Sequence, residues 1–160
     1  MAEMIYQSPK SIEEAVNLLA ASSGSVNILA GGTDLIIQMQ ANIDEPRVII
    51  DVKKIAEMTQ AELTEDALLL GPSMCCAALT AREDIKALFP GLVESAYLIG
   101  SSQVQGRASV GGNLCNSSPA ADTVPALIAL NAMCQILGPG GERTVKAEDF
   151  VTGVGRNCLA

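Results

Sequence analysis

The apolar positions of the first third of the chain follow two different periods. After Ser11 they recur at helical spacing, and Ser11 and Glu14 are spaced as a capping box, so the pattern predicts a helix over residues 11–21. Its buried stripe is expected at Ile12, Ala15, Val16 and Leu19. Short apolar runs at 26–30 and 48–52 predict buried strands on either side of a helix at 34–40. Helix alternating with strand indicates a small α/β unit with a parallel sheet.

From about residue 55 the pattern changes to short elements. A strand over 67–70 ends at Gly71-Pro72, and short helices are expected at 75–81 and 85–89. A longer helix over 91–99 has its apolar side at Leu92, Val93, Ala96 and Ile99. Residues 100–103 are expected to be irregular and to lead into a loop that contains Gly111-Gly112.

The last third predicts one more helix and a hairpin. Asp122-Thr123 begins the helix, with Pro125 in its first turn, and its buried face is expected at Val124, Leu127, Ile128 and Leu130. Strands over 133–137 and 143–145 flank a Gly-Pro-Gly-Gly turn. The whole chain is therefore predicted to be α+β, with a small parallel α/β subdomain at 1–54 and a second α+β subdomain at 55–160.

Two glycine pairs are the candidate functional segments. Gly31-Gly32 stands between a predicted strand and a predicted helix that Thr33 or Asp34 can cap, and Gly111-Gly112 stands between Ser109-Val110 and Asn113. Glycines allow a ligand to approach the backbone closely, and free N–H groups before a helix suit a phosphate. A purely structural turn is the alternative for either pair alone. The fingerprint G-x-G-x-x-G is absent, which argues against a Rossmann fold.

Composition excludes several classes of function. The net charge is −8, which argues against binding to nucleic acid and to anionic membranes. No apolar run is long enough for a membrane helix, and the N-terminal residues lack a signal pattern, so we expect a cytoplasmic protein. The chain has no histidine, which excludes His-based triads and His metal sites within these residues. Its five cysteines include no C-x-x-C pair and are expected to be reduced.

The two glycine segments resemble a known family. "ILAGGTDL" at 28–35 and "SVGGNLCNSSPAAD" at 109–122 are similar to the FAD-binding subunit of the molybdenum hydroxylases, which include xanthine dehydrogenase and the aerobic carbon monoxide dehydrogenase flavoprotein. The likeness extends from "SPKSIEEAVNLLA" near the start to "EDFVTGVGR" near the end. It implies the PCMH-type FAD-binding fold, with FAD held between the two subdomains. Members of the family continue further, so we expect the second subdomain to be incomplete at its C-terminus and its open edge to favour self-association.

The resemblance also implies the site and the function. The FAD-binding residues it implies are Ile28, Leu29, Ala30, Gly31, Gly32, Thr33, Asp34, Leu35, Ile99, Gly100, Ser109, Val110, Gly111, Gly112, Asn113 and Asp122. No catalytic residue and no metal ligand are assigned. The implied function is an FAD-binding electron-transfer subunit that takes electrons from [2Fe-2S] clusters of a partner subunit and passes them to an acceptor. An iron–sulfur subunit and a molybdopterin subunit are the implied partners.

Several residues have a second interpretation. The alternative role of Asp122 is an N-cap, that of Asn113 is a turn residue, and that of Ile99 is a core residue. Cys115 is interpreted as a small buried side chain, and Lys53, Lys54 and the charges at 82–84 as solvated. Where relatives commonly read "IRN-x-AT", this chain has Gln105 for the arginine and Gly106 for the asparagine, so polar support behind the second glycine pair is not expected from those residues.

Two other classes of function stay open from the sequence. One is a self-contained flavin oxidase or reductase of the same FAD fold, of the enolpyruvyl-glucosamine reductase type. It would need its own substrate base, and the absence of histidine disfavours it. The other is a non-catalytic module whose glycine turns are only structural.

Overall fold

A three-stranded parallel sheet organises the first third of the molecule. The computed structural model describes residues 4–41 and 47–159, and the sheet contains β1 (Met4–Gln7), β2 (Ser25–Leu29) and β3 (Arg47–Asp51) in the order β1-β3-β2. The central strand β3 is the most buried of the three, and its Ile50 is fully buried, because neighbours cover it on both edges. The predicted parallel sheet is confirmed. The sequence pattern did not indicate β1.

Two helices belong to this sheet. They are α1 (Ile12–Ala21) and α2 (Leu35–Ala41). The predicted N-cap of α1 is formed, since the Ser11 hydroxyl accepts the N–H of Glu14 at 3.1 Å. Ala15 of α1 packs with Ile50 in a small core cluster. The turn from β3 continues into a 3₁₀ turn at Val52–Lys54.

The rest of the chain consists of short helices and two-stranded antiparallel sheets. The strand pairs are β4 (Ala61–Leu63) with β5 (Leu68–Leu70), β6 (Met133–Gly138) with β7 (Gly141–Lys146), and β8 (Val151–Gly153) with β9 (Arg156–Asn157). The helices are α3 (Ala56–Thr59), α4 (Cys76–Thr80), α5 (Glu83–Leu88), α6 (Pro90–Leu98), α7 (Ser102–Gln105), α8 (Val110–Asn116), α9 (Val124–Ala129) and α10 (Ala147–Phe150). The predicted α+β class and the β6–β7 hairpin are thus confirmed.

The second and larger core cluster is built around α4, α5 and α6. Leu79, Ile85 and Ala96 are fully buried there. The predicted inward side of α6 is confirmed, because all four of its positions have exposed fractions of 8% or less, at Leu92, Val93, Ala96 and Ile99. The two clusters support two subdomains, and the division between residues 54 and 55 stays a prediction.

Three local predictions were wrong. Residues 102–105 form α7 instead of irregular chain, and the second glycine pair lies inside α8 instead of in a loop. The predicted buried face of α9 is too wide. Ile128 and Leu130 are 41% and 43% exposed, because Ile128 is turned about 100° from the buried Leu127 and Leu130 lies beyond the last helical residue. Within 4–41 and 47–159, no helix has the length and apolar character required to cross a membrane.

Candidate functional site

The first glycine pair lies where β2 passes into α2. Gly32 has φ +82°, a conformation that glycine adopts without strain, and its carbonyl accepts the N–H of Ile36 at 3.1 Å. Gly31 packs directly on another part of the backbone, because a Cβ at this position would stand 2.1 Å from the carbonyl oxygen of Arg107. The first pair is therefore fixed against the residues that immediately precede the second pair.

The backbone donors of the first segment are open. Among the residues that the structure describes, none accepts a hydrogen bond from the N–H of Gly31, Gly32 or Thr33. The cap expected from the Thr33 or Asp34 side chain is also not formed with any described N–H, so that prediction was wrong. Three consecutive backbone donors at half-buried positions, with no acceptor among the described residues, are groups of the kind that an anion accepts.

The second glycine pair has a different construction. Ser109 is the N-cap of α8, and its hydroxyl oxygen accepts the N–H of Gly112 at 3.2 Å. Gly111 donates to the carbonyl oxygen of Pro72 at 3.0 Å, and a Cβ on Gly111 would stand 2.3 Å from the Cβ of Pro72. The N–H groups of both glycines are thus used within the protein. This corrects the expectation that both pairs present free donors.

The two segments nevertheless lie side by side. A Cβ on Gly112 would stand 4.0 Å from the Cβ of Ala30, just before the first pair. A hydrogen bond of 2.9 Å between Gln38 and Asn116 joins the helices α2 and α8. The tertiary structure therefore brings the two predicted segments together, with open donors on one of them and the open face of Gly112 on the other.

Asn113 connects the second segment to the start of α9. Its Oδ1 accepts both the N–H and the hydroxyl of Thr123, at 3.0 and 2.7 Å. Thr123 is fully buried and is the N-cap residue of α9, whereas Asp122 is exposed. Asn113 thus holds the turn at Thr123, ten residues further along the chain, and not the turn in which it was expected to act. Because Thr123 is fixed, its neighbour Asp122 is held close to the second segment.

The segment at Ile99 and Gly100 has polar support that the sequence comparison did not predict. Gln105 is buried, and its Nε2 donates to the carbonyl oxygen of Tyr97 at 2.6 Å. Ile99 is a buried core residue and Gly100 is exposed at φ +52°. The glutamine that replaces the family's usual arginine therefore fixes the end of α6 next to these two residues.

The remaining predicted site residues flank the two pairs. Ile28 is 47% exposed near the end of β2, Leu29 and Leu35 are half-buried, and Val110, the first residue of α8, is buried in the larger core cluster. Asp34 is exposed at the start of α2. Val110 thus anchors the second segment, and Leu29 and Leu35 are partly buried beside the first pair, while Ile28 and Asp34 face solvent.

Sequence reasoning missed a charged group behind the first pair. The Nζ of Lys53 lies 2.9 Å from the carbonyl oxygen of Ala30 and 2.8 Å from Oδ1 of Asp51, so Lys53 is not a solvated charge. The hydroxyl of Tyr6 donates to the other oxygen of Asp51. Burial alone would raise the pKa of Asp51, but the hydrogen bonds from Lys53 and Tyr6 outweigh it and lower the pKa. The sequence feature that could have indicated this group is the carboxylate of Asp51, which stands at the end of the buried strand β3 and therefore needs a partner.

Arg82 and Asp84 form a surface ion pair with side chains that are 36% and 50% exposed, which is consistent with the expectation of solvated charges at 82–84. The guanidinium of Arg82 donates to both oxygens of Asp84 and to the carbonyl of Ala61. This pair lies on the surface and lowers the pKa of Asp84 to about 2 through the hydrogen bonds from Arg82. It belongs to the packing of β4 against α5 and not to the glycine segments.

The cysteines are thiols in this structure. All five are free, and desolvation raises the pKa of Cys115 and of Cys76 to about 11. Cys115 is an exposed residue, contrary to the expectation of a buried one, although the protein around its sulfur still disfavours the thiolate. Across the described ranges, no group of three His, Cys, Asp or Glu side chains is arranged to hold a metal ion.

Comparison with known proteins gives these residues a context. Residues 2–160 match the family model described as the FAD binding domain in molybdopterin dehydrogenase. The chain belongs to this family. It is therefore an FAD-binding domain, as the resemblance implied.

Named relatives agree with this assignment. The chain is 32% identical to the nicotinate dehydrogenase FAD-subunit of Eubacterium barkeri, with 99% of this chain and 55% of the relative covered. It is also 32% identical to the xanthine dehydrogenase FAD-binding subunit of Escherichia coli O157:H7, with 96% of this chain and 53% of the relative covered. The chain thus spans about half the length of these relatives.

The fold is also that of a solved structure. Carbon monoxide dehydrogenase from Hydrogenophaga pseudoflava superposes with a TM-score of 0.92 at 31% identity, with 99% of this chain and 55% of the solved chain covered. The predicted fold class is confirmed by this match.

Proposed function

We propose that this chain is the FAD-binding electron-transfer part of a molybdenum-containing hydroxylase or dehydrogenase. In this proposal, electrons from [2Fe-2S] clusters of a partner subunit pass to an acceptor by way of the cofactor held here. The observation that carries the proposal is the meeting of the two glycine segments in a chain of the FAD-binding family, with three N–H groups on the first segment that no described residue accepts.

The residues present fit FAD. The N–H groups of Gly31, Gly32 and Thr33, which have no acceptor within 4–41 and 47–159, are donors of the kind that a diphosphate accepts. Gly112 leaves its side of the site open to close approach. We assign binding to residues 28–35, 99–100, 109–113 and Asp122. FAD, when bound, supplies the electron-transfer chemistry.

The work of the chain itself is to bind and orient. It has no histidine, and its cysteines with raised pKa are held as thiols, so we assign no residue to proton transfer with an organic substrate. The free state of all five cysteines supports a location in the cytoplasm, which we also propose.

The partners we propose are an iron–sulfur subunit and a molybdopterin subunit. Purification from the native source should recover both together with the yellow flavoprotein. Addition of the organic substrate should bleach the flavin absorbance in the assembled complex and leave it unchanged in the separated flavoprotein. Bleaching in the separated flavoprotein would instead establish a self-contained flavin oxidase or reductase, and a colourless complex would contradict FAD binding.

A further inference from the structure

A connected polar group lies behind the first glycine pair. Tyr6 of β1, Asp51 of β3 and Lys53 of the following 3₁₀ turn are linked in series by the bonds described above. The backbone N–H of Lys53 also donates to Oδ1 of Asp51 at 3.0 Å. Asp51 is 7% exposed, so the carboxylate is held by three donors in a largely buried place. The last contact of the series is the bond from Lys53 to the carbonyl oxygen of Ala30.

That last contact fixes the direction of a peptide group. A trans peptide is planar, so the carbonyl oxygen of Ala30 and the N–H of Gly31 point in opposite directions. Because Lys53 holds the oxygen on one side, the N–H must point to the other side. No described residue accepts this N–H or that of Gly32. If the peptide turned over, a carbonyl oxygen would replace a donor at the site, and a carbonyl oxygen repels an anion.

We propose that Lys53, oriented by Asp51 and Tyr6, is a positioning residue that holds the Ala30–Gly31 peptide so that the first glycine segment presents its N–H groups to the FAD diphosphate. The inference rests on the proposed function, which assigns this segment to the diphosphate. The lysine acts through the backbone, and its charge is neutralised in large part by Asp51 at 2.8 Å.

The chain offers a matched control for this proposal. Lys54 is the next residue, carries the same charge and is exposed, and it has no hydrogen bond to the glycine segment in the structure. A long-range effect of charge would make the two lysines equivalent, because both stand on the same 3₁₀ turn. A positioning effect would make them very different.

The test is a titration of the flavin-free protein with FAD, with ADP and with FMN, in the wild type and in Lys53→Met, Lys54→Met and Lys53→Arg. We expect Lys53→Met to weaken FAD and ADP binding about tenfold, as for loss of a hydrogen bond from a charged group. Lys54→Met should stay within about twofold, and Lys53→Arg should recover part of the loss. FMN, which lacks the diphosphate, should be affected less than FAD.

Titration at high salt further distinguishes a positioning effect of Lys53 from a long-range effect of its charge. The deficit of Lys53→Met should persist at about 1 M salt, where the Debye length is only about 3 Å. Equal losses in Lys53→Met and Lys54→Met, or a deficit that disappears in salt, would overturn the positioning role.

A second variant guards against loss of the fold. Tyr6→Phe removes one hydroxyl from a residue that is 56% exposed, and thermal unfolding of the flavin-free protein will report whether the fold is kept. We expect Tyr6→Phe to weaken ADP binding by about twofold to fivefold, less than Lys53→Met, because the Tyr6 hydroxyl donates to the Asp51 carboxylate and acts on the Ala30–Gly31 peptide only indirectly. Wild-type affinity in both Tyr6→Phe and Lys53→Met would refute the positioning role of Lys53 and leave the proposed function unaffected. Failure of the wild type to bind FAD and ADP would refute the proposed function instead.

Discussion

Gln38 and Asn116 form a hydrogen bond of 2.9 Å between Nε2 of the glutamine and Oδ1 of the asparagine. Gln38 lies on α2, which follows the first glycine pair, and Asn116 is the last residue of α8, which contains the second. The bond therefore connects the two site segments at their far ends, while Gly31 and Arg107 are in contact at the near ends.

Removal of this link should loosen the site without unfolding the chain. Gln38→Ala deletes one exposed hydrogen bond, so we expect FAD affinity to fall about twofold to fivefold. Titration of the flavin-free protein measures this. Gln40→Ala, on the same helix, is the control, and an equal loss in both variants would show that the Gln38–Asn116 bond has no special role.

Substitution by alanine should affect folding at one glycine of the second pair and FAD binding at the other. Gly111→Ala places a Cβ 2.3 Å from the Cβ of Pro72 and 2.5 Å from its carbonyl oxygen, so the backbone must move, and the free energy of unfolding should fall by about 1–3 kcal/mol. Gly112→Ala meets only the Ser109 hydroxyl at 3.0 Å and the Ala30 methyl at 4.0 Å. We expect it to fold and to lose FAD affinity.

Thermal unfolding of the flavin-free variants and FAD titration distinguish these outcomes. Unimpaired FAD binding by Gly112→Ala would remove Gly112 from the site. Gly31 does not allow this separation of folding from binding, because any side chain there collides with the backbone of Arg107.

The bonds between Asn113 and Thr123 should be needed for stability. Asn113→Ala leaves a buried N–H and a buried hydroxyl of Thr123 without their acceptor, so unfolding should become easier by about 2–4 kcal/mol. Asn113→Asp keeps an acceptor oxygen and should lose less. Chemical denaturation gives the values, and similar losses in both variants would show that the acceptor is not what matters.

Acid should remove the stabilisation that Asp51 contributes. The pKa of Asp51 is lowered from its ordinary value of 3.8, so its stabilisation is fully present above that value and is lost as the pH falls through the lower folded pKa. The difference in unfolding free energy between the wild type and Asp51→Asn should therefore shrink below about pH 4. Asp66→Asn, at an exposed turn, controls for the loss of one carboxylate. A difference that does not change between pH 7 and pH 3 would contradict the buried network.

Much of the local structure followed from the sequence. The cap of α1 by Ser11, the buried side of α6 and the β6–β7 hairpin depend on residues that are close in the chain, so spacing alone predicted them. The edge strand β1 was missed, because its three large apolar residues are all exposed and follow no alternating pattern.

The sequence by itself located the two glycine segments and, through their resemblance to known proteins, indicated the FAD-binding family. Only the tertiary structure decided which donors are open. The N–H of Gly111 donates to Pro72 and the N–H of Gly112 donates to Ser109. The N–H groups of Gly31 and Gly32 have no described acceptor. It also converted Lys53 from an apparent surface charge into the residue that holds Ala30. The bond from Gly112 to Ser109 is local, but the contacts of Gly111 with Pro72 and of Lys53 with Ala30 join residues far apart in the chain. The geometry of such distant contacts is set by packing, which local spacing does not encode.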